Sequence, residues 1–312
     1  MYADDASGHV HAKEPEELTN KLQEFAYSAT NWIRDNKMVC SSSKTKLLVV
    51  CTKELRDSKL LGRDLTVNVA DNIVTESKEE NLLGIMMSSN MTWNSFLYGN
   101  KETGAGKAVG LIYKLSQRIG LLKTLSKYMS TSQLNSLING LFTSKLLYCL
   151  HLYCNVWSDF GMDDTVRRFT ALTKEDMRRL QVLQNRVLRL KCRNSDLNTP
   201  TVKLLQACGD LSVHQLGAFY TVMQVFKTLT SGQPKYLSER LLLRKPTQDN
   251  IPQRHVNTIK VRGHLTLSRS GFLHRGAQLW NSLPSDLRNC TDVNSFRKDL
   301  RRWIVSTVPV KP

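Results

Sequence analysis

Leu65-Thr66-Val67-Asn68-Val69 alternates with period two up to a turn at Ala70-Asp71, and Asn72-Ile73-Val74 continues beyond it. Alternation of this kind marks a half-buried strand, and two such stretches about a tight turn read as a hairpin. Upstream, Lys44-Thr45-Lys46-Leu47-Leu48-Val49-Val50-Cys51 reads as a strand with β-branched residues at its centre. Before that, Leu18, Leu22, Phe25, Ala29 and Trp32 (or Ile33) recur at spacings of three and four, the stripe of a helix packed on a sheet. Pro15 suits its first turn, Glu16 and Glu17 complement its N-terminal dipole, and it should end near Asn36. Ala6 to Ala12 is expected to form a short strand, and Leu82-Leu83-Gly84-Ile85-Met86-Met87 one more. Residues 1–90 therefore read as a small α/β unit with a helix over a sheet.

From about Trp93 the period becomes helical. Residues 107–127 and 131–157 are two strong helical patterns, split by the polar break at Ser126–Ser132, with Ser130 or Thr131 as N-cap. The second is apolar on nearly every side near Leu146–Tyr153, so burial is expected there. A third helix over 174–192 starts at Thr173, which stands three residues before Asp176 in a capping pattern. Further helices are expected at 201–207, 212–230, 273–281 and 292–305, whereas 233–270, with Pro234, Pro246 and Pro252, has a mixed pattern. The fold class is α+β and mainly α.

The 312 residues, 41% hydrophobic and 23% charged, suit a soluble globular chain of about two domains. Seven cysteines (Cys40, Cys51, Cys149, Cys154, Cys192, Cys208 and Cys290) show no C-x-x-C spacing and number an odd count. That pattern argues against a disulfide framework and against a zinc site, and leads to an expectation of reduced thiols in the nucleus or cytoplasm, not a secreted protein. His9 and His11 would share one face of a strand, without a third ligand nearby. There is no signal-like h-region, and apolar runs such as Leu47–Cys51 are too short to span a bilayer. Charge is distributed unevenly: residues 1–109 carry 13 basic and 15 acidic side chains, 110–200 carry 14 and 6, and 201–312 carry 17 and 6. The net +17 thus resides in the last two-thirds, the pattern of a polyanion-facing half joined to a nearly neutral one.

Six blocks in fixed order resemble the C-terminal part of a non-LTR (LINE-type) retrotransposon reverse transcriptase. Tyr2-Ala3-Asp4-Asp5 looks like its catalytic hairpin turn; Trp32, Asn36 and Lys44-Thr45 resemble the helix and strand that follow. Leu83-Gly84-Ile85 is similar to the strand near the primer terminus. The helices at 107–157, ending Leu147-Tyr148-Cys149 and Val156-Trp157, look like the thumb. Leu180-Gln181, Gln184-Asn185-Arg186 and, near the end, Trp280-Asn281-Ser282-Leu283-Pro284 with Phe296-Arg297 resemble later family blocks. The resemblance implies a partial palm with its YADD turn over 1–92, a helical thumb over 93–198 and a basic, mostly helical C-terminal region over 199–312.

The activity so implied is RNA-directed DNA polymerisation, an in-line phosphoryl transfer in which two Mg²⁺ stabilise the attacking and leaving oxygens. By resemblance Asp4 is the direct metal ligand, Asp5 the auxiliary one, and Lys44 sits near the leaving pyrophosphate; an ordinary strand-end lysine is the other reading of Lys44. Mg²⁺ needs carboxylates converging from different backbone positions, and adjacent hairpin residues point apart. The family's other metal-binding Asp and its fingers precede the stretch that residue 1 matches, so this chain alone is expected to be a truncated, inactive form, with an upstream fragment as a further expected partner.

The basic half is the expected surface for RNA or an RNA/DNA primer–template. In the 174–192 helix Leu180, Leu183, Val187 and Leu190 form one seam, and Arg179, Arg186, Arg189 and Arg193 recur on another face, suited to phosphate oxygens. Lys114 and Arg118 form a smaller i,i+4 pair, and Arg297, Lys298, Arg301 and Arg302 with Trp303 repeat the theme. Some five phosphate contacts would give a log K against log salt slope of roughly −4. Trp280 is expected in the core. Gly104-Ala105-Gly106-Lys107-Ala108 is not a phosphate loop, since residue 101 is Lys and residue 108 is Ala; a hinge is expected there. The alternative to a polymerase fragment is a non-catalytic RNA- or DNA-binding protein derived from the thumb and C-terminal region.

Overall fold

A computed structural model describes residues 6–41, 44–60, 63–70, 72–99, 109–154, 172–244, 257–260, 271–308 and 310. Its chain divides into two units, 1–96 and 97–312.

In the first unit, Pro15–Asp35 (α1) lies over a three-stranded sheet of Leu47–Leu48 (β1), Thr66–Val69 (β2) and Asn72–Ser77 (β3), in the order β1-β3-β2. Period two does its work here: Thr66 and Asn68 face outward, while Val67 and Val69 are buried. Together with Val74, Leu47, Val49 and Ala26 they make the core of the unit, onto which Leu18, Leu22, Cys40 and Leu65 pack. Each buried branched side chain contributes about 1.5–3 kcal/mol over its exposed state. The β2–β3 pairing is antiparallel, Val67 opposite Val74, and Ala70 in the turn adopts φ 47°. Gln23 of α1 uses its side-chain amide as a strand would: Nε2 donates to the Asn68 carbonyl and the Asn68 amide donates to Oε1, both at 2.9 Å. Glu76 of β3 is nearly buried, accepting from the Leu65 amide at 3.1 Å and pairing with Arg56. Lys53–Leu55 (α2) runs into a π-helical turn, Arg56–Leu60.

Three strand expectations for this unit need correction. Residues 6–12 form no strand; Gly8 instead packs on the Phe25 ring, where a Cβ would stand 2.0 Å from Cζ. Of 44–51, only Leu47 and Leu48 join the ladder, in parallel register with Glu76 and Ser77. Past them the backbone leaves the sheet, and the Cys51 amide donates to the Ser89 carbonyl. The 82–87 stretch is not one strand but the turn of a hairpin between Glu79–Leu82 (β4) and Ile85–Ser88 (β5). Leu83 (φ 49°) and Gly84 (φ 82°) take consecutive left-handed conformations, the geometry of a two-residue hairpin loop. Glu79 and Glu80 stand in β4.

Asn94–Tyr98 (α3) leads into the second unit, whose regular elements among the described residues are helices, with isolated bridges besides. Leu111–Leu125 (α4) buries Leu111, Leu115, Ile119 and Leu122, one stripe at spacings of four and three. Thr131–Leu137 (α5) is capped by Ser130 in a capping box with Gln133. It passes through a π-helical segment, Ile138–Thr143, into Ser144–Leu147 (α6). The expected single helix breaks there. Cys149 takes φ 56°, and a new turn, Leu150–Tyr153 (α7), begins. Leu146, Leu150 and Tyr153 are buried as expected, and the Tyr153 hydroxyl donates to the Leu146 carbonyl across the break at 2.8 Å.

Lys174–Lys191 (α8) starts at the foreseen Thr173–Asp176 capping box. Thr201–Cys208 (α9) packs against its end, with Leu188, Leu204 and Leu205 between them. Val213–Ser231 (α10) is buried along most of its length and contacts α7, α8 and the later helices. Lys235–Ser238 (α11) follows, and Phe272–Ser282 (α12), Ser285–Arg288 (α13) and Val293–Thr307 (α14) close the unit. Phe226 stacks on Phe296 at 3.9 Å with Trp280 beside both. Gly276 allows α12 to approach α10, since a Cβ there would lie 2.7 Å from Val225 Cγ2.

The cysteine expectation also needs correction. Cys192, at the C-cap of α8, is disulfide-bonded to Cys208 in the last turn of α9, with Cα atoms 6.3 Å apart. Spacing in sequence cannot reveal that two helix ends meet. The other five cysteines are free thiols.

Candidate nucleic-acid interface

Asp4 and Asp5, and the hinge glycines at 104 and 106, lie outside the described residues. Lys44 is exposed in the turn before β1, its amide donating to the Ser41 carbonyl. Among the described residues no group of three or more His, Cys, Asp or Glu could hold a metal ion, and no helix is long and apolar enough to cross a membrane.

Helix α8 presents its seam as expected: Leu180, Leu183 and Val187 are buried, and Leu190 is partly so. Its arginines, however, meet different fates. Arg179 pairs with Glu175 at 3.0 Å, donates to the Tyr98 hydroxyl at 3.2 Å and lies 5.4 Å from the centre of that ring. Arg178 binds the same Glu175 with two nitrogens, at 2.8 and 2.9 Å. Hydrogen bonds from Arg178 and then Arg179 hold the Glu175 carboxyl down at about 2. Tyr98 also donates to the buried Asp176; burial first, and that bond second, push its phenol up to about 12.

Arg189 turns back on the loop that follows, donating to the carbonyls of Leu197 at 2.8 Å, Asp196 at 3.2 Å and Thr199 at 3.4 Å. Arg193 donates to the Met129 carbonyl at 2.7 Å and more weakly to that of Ser126 at 3.5 Å, tying the end of α8 to the end of α4. Arg186 is exposed and makes no hydrogen bond or ion pair with the described residues. The row is thus one free guanidinium flanked by committed ones.

The C-terminal cluster divides the same way. Arg297 and Lys298 are exposed, Arg301 donates to the Gly209 carbonyl, and Arg302 pairs with Asp299 at 2.9 Å. Trp280 is buried and donates to the Asn257 carbonyl at 2.8 Å, so it belongs to the core as expected. On α4, Lys114 is exposed and Arg118 is partly buried, donating to the Leu141 carbonyl.

Two basic residues escaped sequence reasoning. Arg275 is 2% exposed, yet its donors go to backbone: the carbonyls of Cys154, Leu152 (2.6 Å) and His151 (3.3 Å), at the end of α7. Burial brings its guanidinium down to about 10. Nothing in Leu273-His274-Arg275-Gly276-Ala277 distinguishes it from a surface arginine. Lys145 is the other; α6 carries it to the same place as Lys114 and Arg118, three residues before an exposed Tyr148.

The chain matches no protein-family model, no curated protein and no solved structure.

Proposed function

We propose that this chain binds RNA or an RNA/DNA primer–template through its helical second unit, and that it is of the reverse-transcriptase type which its sequence blocks resemble. The observation that carries the reading is the charge. Residues 110–312 hold 31 basic against 12 acidic side chains, and Lys114, Arg186, Arg297 and Lys298 are exposed without ion-pair partners among the described residues. Free cations of this kind release counterions when they neutralise phosphates, which gives affinity without choice of sequence. Arginines already bonded to carbonyls shape the surface and add less.

Nucleotidyl transfer asks for more. Two Mg²⁺ need carboxylates from separate backbone positions. Asp4 and Asp5 are the residues that the resemblance offers, with Lys44 near the pyrophosphate, and the described residues add no metal-holding group. Binding is therefore the activity best supported for the chain itself, and catalysis is the second reading. Primer extension on an RNA template with Mg²⁺, beside a salt titration of RNA binding, separates them. Salt-dependent binding without extension fits the first reading. Extension abolished by Asp4→Asn would establish the second, and loss of both activities would overturn both.

A further inference from the structure

We propose that Lys145, with Lys114 and Arg118, forms a seat for one backbone phosphate of a bound single-stranded RNA. The seat rests on the nucleic-acid reading above. Lys114 and Arg118 lie one turn apart on α4, which packs against α6 and the π-helical segment before it. Arg118 spends a donor on the Leu141 carbonyl, which fixes the guanidinium at the backbone four residues before Lys145 and leaves further N–H groups to give. The Lys145 ammonium lies 5.6 Å from the centre of the Tyr148 ring, and Tyr148 is 41% exposed. None of the three cations forms an ion pair among the described residues.

Like charges so placed cost stability in the free protein. Burial lowers the Lys145 ammonium below the ordinary lysine range, and Lys114 and then Arg118 push it in the same direction. An anion offsets the repulsion from Lys114 and Arg118, so it gains more here than beside an isolated surface lysine. A phosphate fits better than a carboxylate. Its tetrahedral oxygens accept from donors arriving off two helices, whereas a carboxylate presents both oxygens in one plane. The exposed aromatic ring next to the seat suits an unstacked base, which a single strand offers and a duplex does not.

The test is fluorescence anisotropy of a labelled oligouridine over a KCl series, for the wild type, Lys145→Gln, Lys145→Arg and, as a comparison elsewhere on the surface, Arg297→Gln. The seat predicts several-fold weaker binding by Lys145→Gln, a salt slope flatter by about 0.7, and recovery in Lys145→Arg. It also predicts that the melting temperature of Lys145→Gln does not fall, since repulsion has been removed. Binding by Lys145→Gln equal to wild type in affinity and slope, while Arg297→Gln weakens, would overturn the seat and leave the nucleic-acid reading standing. Wild-type protein without salt-dependent binding would overturn that reading and the seat with it.

Discussion

A guanidinium carries five donors, and what they meet decides whether an arginine builds the protein or serves a ligand. Arg189 spends its donors on three carbonyls of the 196–199 loop, whereas Arg186, one turn earlier, spends none within the described residues. Arg189→Gln should therefore lower the melting temperature, costing about 0.5–1.5 kcal/mol as largely exposed carbonyls exchange the guanidinium for water, and leave the RNA salt slope nearly unchanged. Arg186→Gln should do the reverse, flattening the slope by about one while stability stays within ~0.5 kcal/mol. Thermal melts and anisotropy on both variants check this. The same residue scale governs pH. Glu175 is held at about 2 in the fold, below its ordinary 4.5, by Arg178 and Arg179. Its contribution is fully present above pH 4.5 and is lost as pH falls toward 2. Because the pair is exposed, the effect should be small and fade in high salt. Melting wild type and Glu175→Gln between pH 6 and pH 2 should show curves that converge at the acid end. The partnerships of Arg189 were not legible in the sequence: arginines at helical spacing look alike, and its acceptors are backbone carbonyls of the loop that follows.

Helices and hairpins were more legible, because their signals are local. The Thr173–Asp176 box, the Ser130 cap, the stripe of α4 and the 65–74 hairpin all depend on residues a few positions apart. What was missed lies where the backbone turns without a polar marker. Leu83-Gly84 is an apolar-looking turn, so Leu82–Met87 read as one strand. Cys149 in a left-handed conformation breaks a helix whose pattern runs on. Two glycines test packing at this scale. Gly276→Ala would force a Cβ to within 2.7 Å of Val225 Cγ2, where a rigid side chain on α10 has little room. A loss of about 1–3 kcal/mol is expected. Gly120→Ala on α4 meets nothing within 4 Å and should stabilise by about 0.5–1 kcal/mol through helix propensity. Denaturant melts that gave both the same sign would contradict this account.

Across the whole molecule, composition carried the division between a nearly neutral sheet-bearing unit and a basic helical one, and the two described units follow it. The contact of α8 and α9 through Cys192 and Cys208 was beyond it. A bond between residues 16 apart restricts the unfolded chain by about 3 kcal/mol, so a reductant should lower the melting temperature of the wild type but not of Cys192→Ser. A wild-type melt indifferent to reductant would show that the bond does not form in solution. The Gln23 amide, finally, has a bearing on assembly. By occupying both backbone groups of Asn68 it removes the docking point at the centre of the outer side of β2, the longer of the two edges. A strand arriving from another molecule at β2 would have to displace that amide before it could pair there. One side-chain amide thus blunts this edge as a template for edge-to-edge pairing.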